Sequence, residues 1–511
     1  MNNRPDASYV AEGQSSGTSL PSLATRDLPD AVPLRRMVGP SIILTGLALG
    51  SGEFIFWPYI VYQSKFVFFW ACLLGVFTQY FLNMEIARWT LATGESAITG
   101  FIRISRKFAV LFLLLNIIPW MIPAWANGAA TIFSWLVWGP EQNEAGEFVA
   151  RYNTVLAIGG MFFCGIVLTA GPVVYETMEK VQFALVAIVM FLVVVLAAWL
   201  LSDRPDAIVA QFTSVVTLGA PDFIPMDVAA LTPVMLLGAL AFAGAGGTTN
   251  LGQSNYVKDK GYGMGRFIGR ITSPLTGRSE SVSETGFQFP DTEGNRKRWR
   301  QWWRRSNAEH ALSFLLPCVV SLVLLTLISY VLFFNADGTP AVGTEQYTKG
   351  LGFIWGEATQ LVTGIGPAAK VLFLVMGIAI LLTTEFGILD VASRISADIV
   401  KVAWLRRFET WTESRLYYLF LWGTILLGTG ILLLETVNVE VGAFALFKLA
   451  AAMNGGVMFV YSALLLYMNR TRLPAGVRIS GWRMLIMAWS VLFFGVFCIW
   501  AAYDVISKWV G

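Results

Sequence analysis

The sequence is poor in charge and contains a single histidine. Only 14% of its 511 residues are charged, and His310 is the one histidine, whereas a soluble domain carries about 25% charged residues. There is no Cys–His spacing for a metal, no phosphate-binding Gly-x-x-x-x-Gly-Lys motif and no second histidine to activate a nucleophile. The sequence therefore indicates neither an enzyme, nor a nucleotide-driven pump, nor a bound cofactor. A net charge of +3 is also too small to indicate a nucleic acid partner.

Cysteine is scarce as well. The chain has four cysteines, each within an apolar segment: Cys72, Cys164, Cys318 and Cys498. Thiols in such positions are usually packing residues and seldom disulfides or metal ligands. The sequence thus predicts no disulfide framework.

What the chain has instead is long apolar segments. Hydrophobic residues make up 56% of the chain, and the mean hydropathy is +0.62. Eleven segments are long enough to cross a bilayer as helices. They cover residues 40–62, 66–89, 109–138, 154–173, 181–201, 231–256, 312–334, 369–389, 416–434, 441–468 and 482–505. We predict an all-α integral membrane protein with eleven transmembrane helices in one domain, residues 36–506.

The connections between these segments alternate in charge. Basic residues such as Arg103, Arg406 and Arg470 occupy every second connection, and acidic residues such as Glu144 and Asp337 occupy the others. Because basic connections stay in the cytoplasm, we predict a cytoplasmic N-terminus and an external C-terminus, in a bacterial cytoplasmic membrane. Residues 1–35 are rich in Ser, Asp, Gly and Pro and are predicted to be a disordered cytoplasmic tail.

The longest predicted cytoplasmic connection covers residues 257–310 and is basic. Its residues 296–305 combine six basic residues with three tryptophans. This composition is typical of a segment that binds anionic lipid headgroups with its indoles at the interface. Basic residues that only set the topology explain it equally well. His310 ends the connection, where a single histidine is usually just interfacial.

The centre of the first segment carries a carboxylate between glycines. Residues Gly50, Ser51, Gly52 and Glu53 lie where the helix would be deepest in the membrane. An ionisable side chain there costs several kcal/mol, roughly, and therefore usually has a partner or a function. Glycines loosen a helix, so we predict that it is broken here and frees backbone carbonyls around Glu53. The alternative is that Glu53 pairs with a basic side chain and locks helices together.

The sixth segment contains a second group of glycines. Residues 244–247 include three glycines, the last of which is Gly247, and Thr248, Thr249 and Asn250 follow as neutral oxygen donors. Two interrupted segments at corresponding places in two halves of a chain are typical of the central site of a transporter. The glycines are also compatible with close helix packing.

Three further ionisable residues lie inside apolar segments. Glu385 lies in the eighth segment and Asp390 follows about one turn later, at its inner end, where they could form an ion pathway or a proton relay. Asp390 could equally lie in the membrane interface. Lys448 lies well inside the tenth segment, and a buried ammonium nearly always pairs with a carboxylate. We therefore predict that Lys448 faces Glu53, Glu385 or Asp390.

The chain resembles the Nramp family of divalent-metal transporters over residues 35–505. The resemblance depends on Gly39 and Pro40 at the start of the first segment, its broken centre, and residues 87–95, which are similar to the Ala-Thr-Gly segment of that family. It implies the LeuT-type fold, in which two five-helix inverted repeats are followed by one extra helix, with helices 1 and 6 broken.

The chain also departs from that family at its functional positions. Residues 50–53 replace the family's Asp-Pro-Gly-Asn, so Glu53 takes the place of the asparagine. Residues 247–249 replace Met-Pro-His, which removes the thioether that favours soft metals and the histidine associated with proton coupling. Lys448 falls where the family has a metal-contacting glutamine.

Three functions remain open from the sequence. The first is a secondary transporter of a divalent cation of the magnesium or manganese type, working by alternating access, with Glu53 as the charged metal ligand. Its lost histidine predicts little or no proton coupling. The second is a LeuT-type carrier of an amino acid or organic anion held in part by Lys448. The third is a membrane receptor or partner subunit that transports nothing. The oligomeric state is not indicated.

Overall fold

The computed structural model describes residues 20–144, 146–219, 231–273, 285–438 and 443–510, which are mostly helical. The helices are α1 (Pro40–Ser64), α2 (Phe69–Thr93), α3 (Ala97–Ile104), α4 (Lys107–Trp138), α5 (Asn153–Ala170), α6 (Val174–Ser202), α7 (Pro205–Thr217), α8 (Pro233–Ala241), α9 (Gly247–Asp259), α10 (Glu293–Phe333), α11 (Gly352–Gly364), α12 (Pro367–Leu405), α13 (Glu413–Asn438), α14 (Ala443–Thr471) and α15 (Trp482–Val510). The strands have two residues each: β1 (Ala24–Thr25), β2 (Glu141–Gln142), β3 (Phe148–Val149) and β4 (Phe287–Gln288). β1 pairs in parallel with β4, and β2 pairs antiparallel with β3.

Nine helices in the described ranges are long and apolar enough to cross a membrane, namely α1, α4, α5, α6, α10, α12, α13, α14 and α15. They coincide with nine of the eleven predicted segments. The second predicted segment forms α2, a helix of 25 residues, and the sixth is divided between the short helices α8 and α9. The protein is therefore an all-α integral membrane protein, whereas the count of eleven spans stays a prediction.

Helix α1 is continuous, so the predicted break around Gly50 and Gly52 is wrong. Its centre, Leu49–Phe56, has π-helical geometry and stays hydrogen-bonded. The two glycines serve close packing instead. A Cβ atom on Gly50 would overlap the Thr384 hydroxyl of α12, and one on Gly52 would overlap the carbonyl oxygen of Phe242. Small residues let helices approach closely inside a membrane, and here they bring α1 against two neighbours.

Residues 20–35 are not a disordered tail, which corrects the prediction for this part of the chain; residues 1–19 lie outside the described ranges. Leu28 is buried, and its backbone amide donates to Asn295 of α10 at 3.1 Å. Trp302 of α10 donates its indole N–H to the carbonyl oxygen of Pro29 at 2.8 Å. The segment thus packs on the start of α10. We call the end of the bundle that carries residues 20–39 the N-side.

The basic stretch 296–305 lies on α10, and only part of it faces outward. Trp299 and Trp302 are buried against the protein, and Arg298 pairs with Asp30 at 2.8 Å. Trp302 and Arg298 thus hold the N-terminal segment, and the binding of headgroups stays a prediction. The exposed basic residues of the stretch are Arg296, Lys297, Arg300 and Arg304.

Candidate functional site

The interruption between α8 and α9 lies in the middle of the bundle and is fully buried. The chain leaves the helix after Ala241 and re-enters it at Gly247, with positive φ angles of 77° at Gly246 and 54° at Gly247. Gln79 of α2 holds the loose backbone: its Nε2 donates to the carbonyl of Ala241 at 2.8 Å, and its Oε1 accepts from the amide of Gly246 at 3.2 Å. Sequence reasoning missed Gln79, although a glutamine inside an apolar segment was a usable signal.

The three side chains after the interruption that were predicted to offer oxygen ligands differ in their hydrogen bonds. Thr248 donates to Asn116 at 2.8 Å and accepts from the Trp120 indole at 2.6 Å, while Thr249 donates to the carbonyl of Ala245 at 2.7 Å. The side-chain Nδ2 of Asn250 donates to the Tyr461 hydroxyl at 3.0 Å, but the Oδ1 of Asn250 has no hydrogen-bond partner. Of the three, only Asn250 has a side-chain oxygen that makes no hydrogen bond.

Gly247 lies directly against Asn454 of α14. A Cβ atom on Gly247 would overlap Oδ1 of Asn454. That oxygen has no hydrogen-bond partner, while the Asn454 Nδ2 donates to the carbonyl of Ala450 at 2.9 Å. Two unpartnered amide oxygens, on Asn250 and Asn454, thus lie close to the start of α9.

Glu53 is fully buried and carries an unsatisfied oxygen. Ser321 of α10 donates its hydroxyl to Oε2, and the thiol of Cys318 is also within hydrogen-bond reach of the carboxyl group. Oε1 has no partner. The side chain faces α10, and no hydrogen bond joins it to Thr248, Thr249 or Asn250 in the described conformation. Sequence reasoning missed both Ser321 and Cys318.

Lys448 does not pair with Glu53, Glu385 or Asp390, so this prediction is wrong. It is half-buried, its ammonium lies 5.3 Å from the ring centre of Phe444, and it makes no ion pair with a described carboxylate. A long flexible side chain can place its charge over an aromatic face at the edge of the bundle. Glu53 is therefore not explained as the counter-ion of this lysine.

Glu385 and Asp390 occupy two separate environments. Helix α4 is interrupted at residues 121–123 and resumes at Ala124. Glu385 is buried against the backbone amide of Ala126, in the first turn of this second half. A carboxylate at that place complements the positive end of the half-helix. Asp390 pairs with Arg394 at 3.0 Å and accepts from Tyr256 at 2.9 Å and Tyr417 at 2.8 Å. Its oxygens are fully used, which is typical of a structural network.

Aromatic rings cover the interruption. Phe242, its first residue, lies 5.7 Å from Trp125, 6.2 Å from Trp120 and 6.3 Å from Phe56, measured between ring centres. No group of three or more His, Cys, Asp or Glu side chains suited to a metal occurs in the described ranges. A cation at this place would therefore depend on one carboxylate supplemented by amide, hydroxyl and backbone oxygens.

Comparison with known proteins identifies the fold. No family model matches the chain, and no curated protein matches it in sequence. A mutant of the manganese transporter of Eremococcus coleocola superposes with a TM-score of 0.65 at 12% identity, covering 96% of this chain and 91% of that one. The same transporter in complex with an aromatic bis-isothiourea substituted compound gives 0.64 at 12% identity, covering 97% and 92%. MhsT in complex with L-phenylalanine gives only 0.48 at 14% identity, covering 90% and 98%, and supports no inference. The chain has the fold of the manganese transporter.

Proposed function

We propose that the protein is a secondary transporter of a divalent cation of the magnesium or manganese type, with Glu53 as its charged ligand. The observation that carries this proposal is the Glu53 carboxylate itself, which is fully buried, has one oxygen without a partner and faces no basic side chain in the described ranges. A buried carboxylate without a cationic partner is costly, and a transported cation supplies the missing charge. The fold that the chain shares with a manganese transporter also supports a secondary transporter of a divalent cation.

The neighbouring oxygens complete a hard-ligand set. Because Gly52 touches the carbonyl of Phe242, Glu53 lies one residue from a direct contact with the interruption. The unpartnered oxygens of Asn250 and Asn454 lie close to the start of α9. Carboxylate and amide oxygens are the ligands that magnesium and manganese accept. A movement of α1 against α8 and α9 would bring Glu53 toward these oxygens and then expose the cation on the other side of the membrane.

The wider setting is part of the same proposal. Membership of the Nramp family and the LeuT-type arrangement of inverted repeats account for the overall fold, with the N-side in the cytoplasm of a bacterial cell. In this proposal the exposed residues Lys297, Arg300 and Arg304 bind anionic lipid headgroups on that side.

One observation favours a second candidate, a carrier of an amino acid or organic anion. Lys448 has no carboxylate partner among the described residues, and its neighbour Phe444 lies 6.3 Å from Phe56 between ring centres. An ammonium at the edge of an aromatic cluster could hold a substrate carboxylate. This carrier requires Lys448, whereas the cation transporter does not.

Flux in proteoliposomes separates these functions. Manganese entry is followed with an enclosed fluorescent chelator for the unsubstituted protein, Glu53→Gln, Lys448→Met and Glu357→Gln. Glu357 is another buried glutamate, on α11, and is the matched control. We expect flux to fall at least tenfold in Glu53→Gln and to stay near the unsubstituted level in the other two.

Two results would contradict the proposal. If Glu53→Gln transports manganese normally, Glu53 is not the charged ligand. If no divalent cation moves but a labelled amino acid or organic acid does, and Lys448→Met abolishes that flux, the second candidate is correct. Absence of flux for both classes in a well-folded protein supports a receptor or partner subunit.

A further inference from the structure

A second buried polar cluster lies at the N-side, where α1 begins. The Ser41 hydroxyl of α1 donates to Oε2 of Glu309 at 2.6 Å, and it lies 2.8 Å from Nδ1 of His310. Gln253 of α9 donates its Nε2 to the same hydroxyl at 3.4 Å. Three helices, α1, α9 and α10, therefore meet at one side-chain oxygen.

Both ionisable members of this cluster are buried and incompletely hydrogen-bonded. His310, expected from the sequence to be interfacial, is 0% exposed, and Glu309 is 3% exposed. The imidazole is stacked between Tyr80, at 5.4 Å, and Phe314, at 4.7 Å. His310 Nε2 and Glu309 Oε1 have no hydrogen-bond partner. Buried polar atoms without partners are rare and call for an explanation.

The hydroxyl of Ser41 can donate its proton to Glu309 or to His310, but not to both at once. A serine hydroxyl has one proton to donate and two lone pairs that accept. When that proton is donated to Glu309, Nδ1 of His310 must carry a hydrogen and donate it to Ser41. Nε2 is then the unprotonated nitrogen of the ring.

We propose that Glu309, Ser41 and His310 form a proton-binding site that closes the N-side of the bundle. One proton enters at Nε2 of His310, the Nδ1 hydrogen passes to Ser41, and the former Ser41 hydrogen passes to Oε2 of Glu309. The result is a neutral Glu309 that donates to Ser41, and a Ser41 that donates to Nδ1 of His310. One proton has been added, and every hydrogen bond of the relay is retained with its direction reversed.

The surrounding charges leave Glu309 without a counter-ion of its own. Lys260 acts on Glu309 from the end of α9, but it is held by Glu179 of α6 at 2.7 Å. The phenol groups of Tyr175 and Tyr262 interact electrostatically with Glu309. Arg35 and Arg36, on the turn that packs against α10, are exposed to solvent.

The proton therefore favours the closed arrangement. A carboxylate buried without a counter-ion is costly when charged, and the added proton removes this cost. Opening the N-side would hydrate Glu309 and favour loss of the proton. The closed state thus binds one proton more than the open state, so a rising pH favours opening, by up to about tenfold per pH unit for a single linked proton. This site deepens the proposed function, on which it rests, because it predicts that cation release is pH-dependent despite the missing histidine in the sixth segment.

Cysteine accessibility in nanodiscs tests the site without any transport. Asn255 of α9 is fully buried at the N-side, and Lys297 is exposed on α10. The variant Asn255→Cys with Lys297→Cys is labelled with a maleimide from pH 6 to pH 8, and the ratio of the two labels is measured by mass spectrometry. The ratio cancels the common effect of pH on thiol reactivity. We expect it to rise at least threefold with pH, and to lose this dependence when Glu309→Gln is added.

Two further variants make the result decisive. Glu357→Gln, a buried carboxylate outside this cluster, should keep the full pH dependence. In His310→Asn an amide nitrogen near the position of Nδ1 can donate to Ser41 but cannot accept from it, so the relay cannot reverse. This variant should therefore also lose the dependence, even if Glu309→Gln fails to fold. A constant ratio in the unsubstituted background, or an unchanged pH dependence in His310→Asn, would overturn the proposal. Loss of cation flux with a normal pH dependence of labelling would count against the proposed function alone.

Discussion

Gly52 lies against the carbonyl oxygen of Phe242 so closely that a methyl group cannot be placed between them. This contact joins the centre of α1 to the first residue of the interruption between α8 and α9. It brings Glu53, the carboxylate at the centre of α1, next to the non-helical residues between α8 and α9. The proposed transport cycle depends on movement at this contact.

Gly52→Ala should therefore abolish transport and lower stability. The added methyl group meets a backbone oxygen, which cannot turn aside as a flexible side chain could, and overpacking of this kind costs about 1–3 kcal/mol or more. The measurement is the thermal midpoint of the detergent-purified protein, together with manganese flux. Gly423→Ala on α13 is the control, since nothing lies within 4 Å of its added Cβ, and it should stabilise the helix by up to about 1 kcal/mol. Equal midpoints for both variants would contradict the close contact.

The glycine at position 247 is fixed by its surroundings. Because residues 247–249 replace Met-Pro-His, the sequence alone predicts that Gly247→Met restores a thioether and raises the preference for manganese or cadmium. The structure predicts a different result, because a side chain would overlap Asn454 Oδ1 and Gly247 has a positive φ of 54°. Gly247→Ala should lower the thermal midpoint, and adding Asn454→Ala should recover part of the loss but not the backbone strain. Full recovery in the double variant would show that the strain is negligible.

The parts of this architecture that follow from local pattern were predictable. Long apolar segments are read directly from hydropathy, so nine of the described helices match expectation. Clustered glycines also gave the correct position of the interruption before Gly247. The partners of ionisable residues were not predictable, because they depend on which face each helix turns to its neighbours. Charge alone assigned Lys448 to Glu53, Glu385 or Asp390, while the structure gives Glu53 the hydroxyl of Ser321 and leaves Lys448 over Phe444.

The roles of Gly50, Gly52 and His310 were not predictable either, because they depend on neighbouring helices. Gly50 and Gly52 suggested unwinding, yet glycine serves equally well for close packing, and only the neighbours Thr384 and Phe242 decide between the two. His310 resembled an interfacial residue because its burial comes from Tyr80 and Phe314, the first of which is distant in sequence.

The thiol beside Glu53 should influence metal selectivity. The missing thioether predicts a site made only of oxygen ligands, at which millimolar magnesium or calcium should inhibit manganese uptake. Cys318 now places a sulfur within reach of the carboxylate, and sulfur favours manganese over magnesium. Cys318→Ser should therefore strengthen inhibition by magnesium several-fold in a proteoliposome competition assay. Cys164→Ser, at a buried thiol on α5, is the control, and an equal shift in both variants would exclude a role for Cys318.

The Arg394 network should be structural. Arg394 of α12 is fully buried and pairs with Asp390 and with Asp259 at the end of α9. Arg394→Met leaves two buried carboxylates without a cation, which typically costs about 3–5 kcal/mol, so the thermal midpoint should fall sharply. Arg296→Met breaks an exposed pair with Asp291 and should change the midpoint little, because exposed ion pairs contribute little.

A triple variant separates charge imbalance from lost packing. If the cost of Arg394→Met comes from the uncompensated carboxylates, then adding Asp390→Asn and Asp259→Asn should recover most of the stability, since the arginine and the two carboxylates that it pairs with are then all neutral. The recovered protein should still transport manganese, because neither aspartate is a proposed ligand. A triple variant that stays as unstable as Arg394→Met would show that the arginine acts mainly through packing against Tyr256 and Tyr417, whose ring centres lie 5.4 and 5.7 Å from its guanidinium. A stable triple variant without flux would instead place this network in the transport pathway.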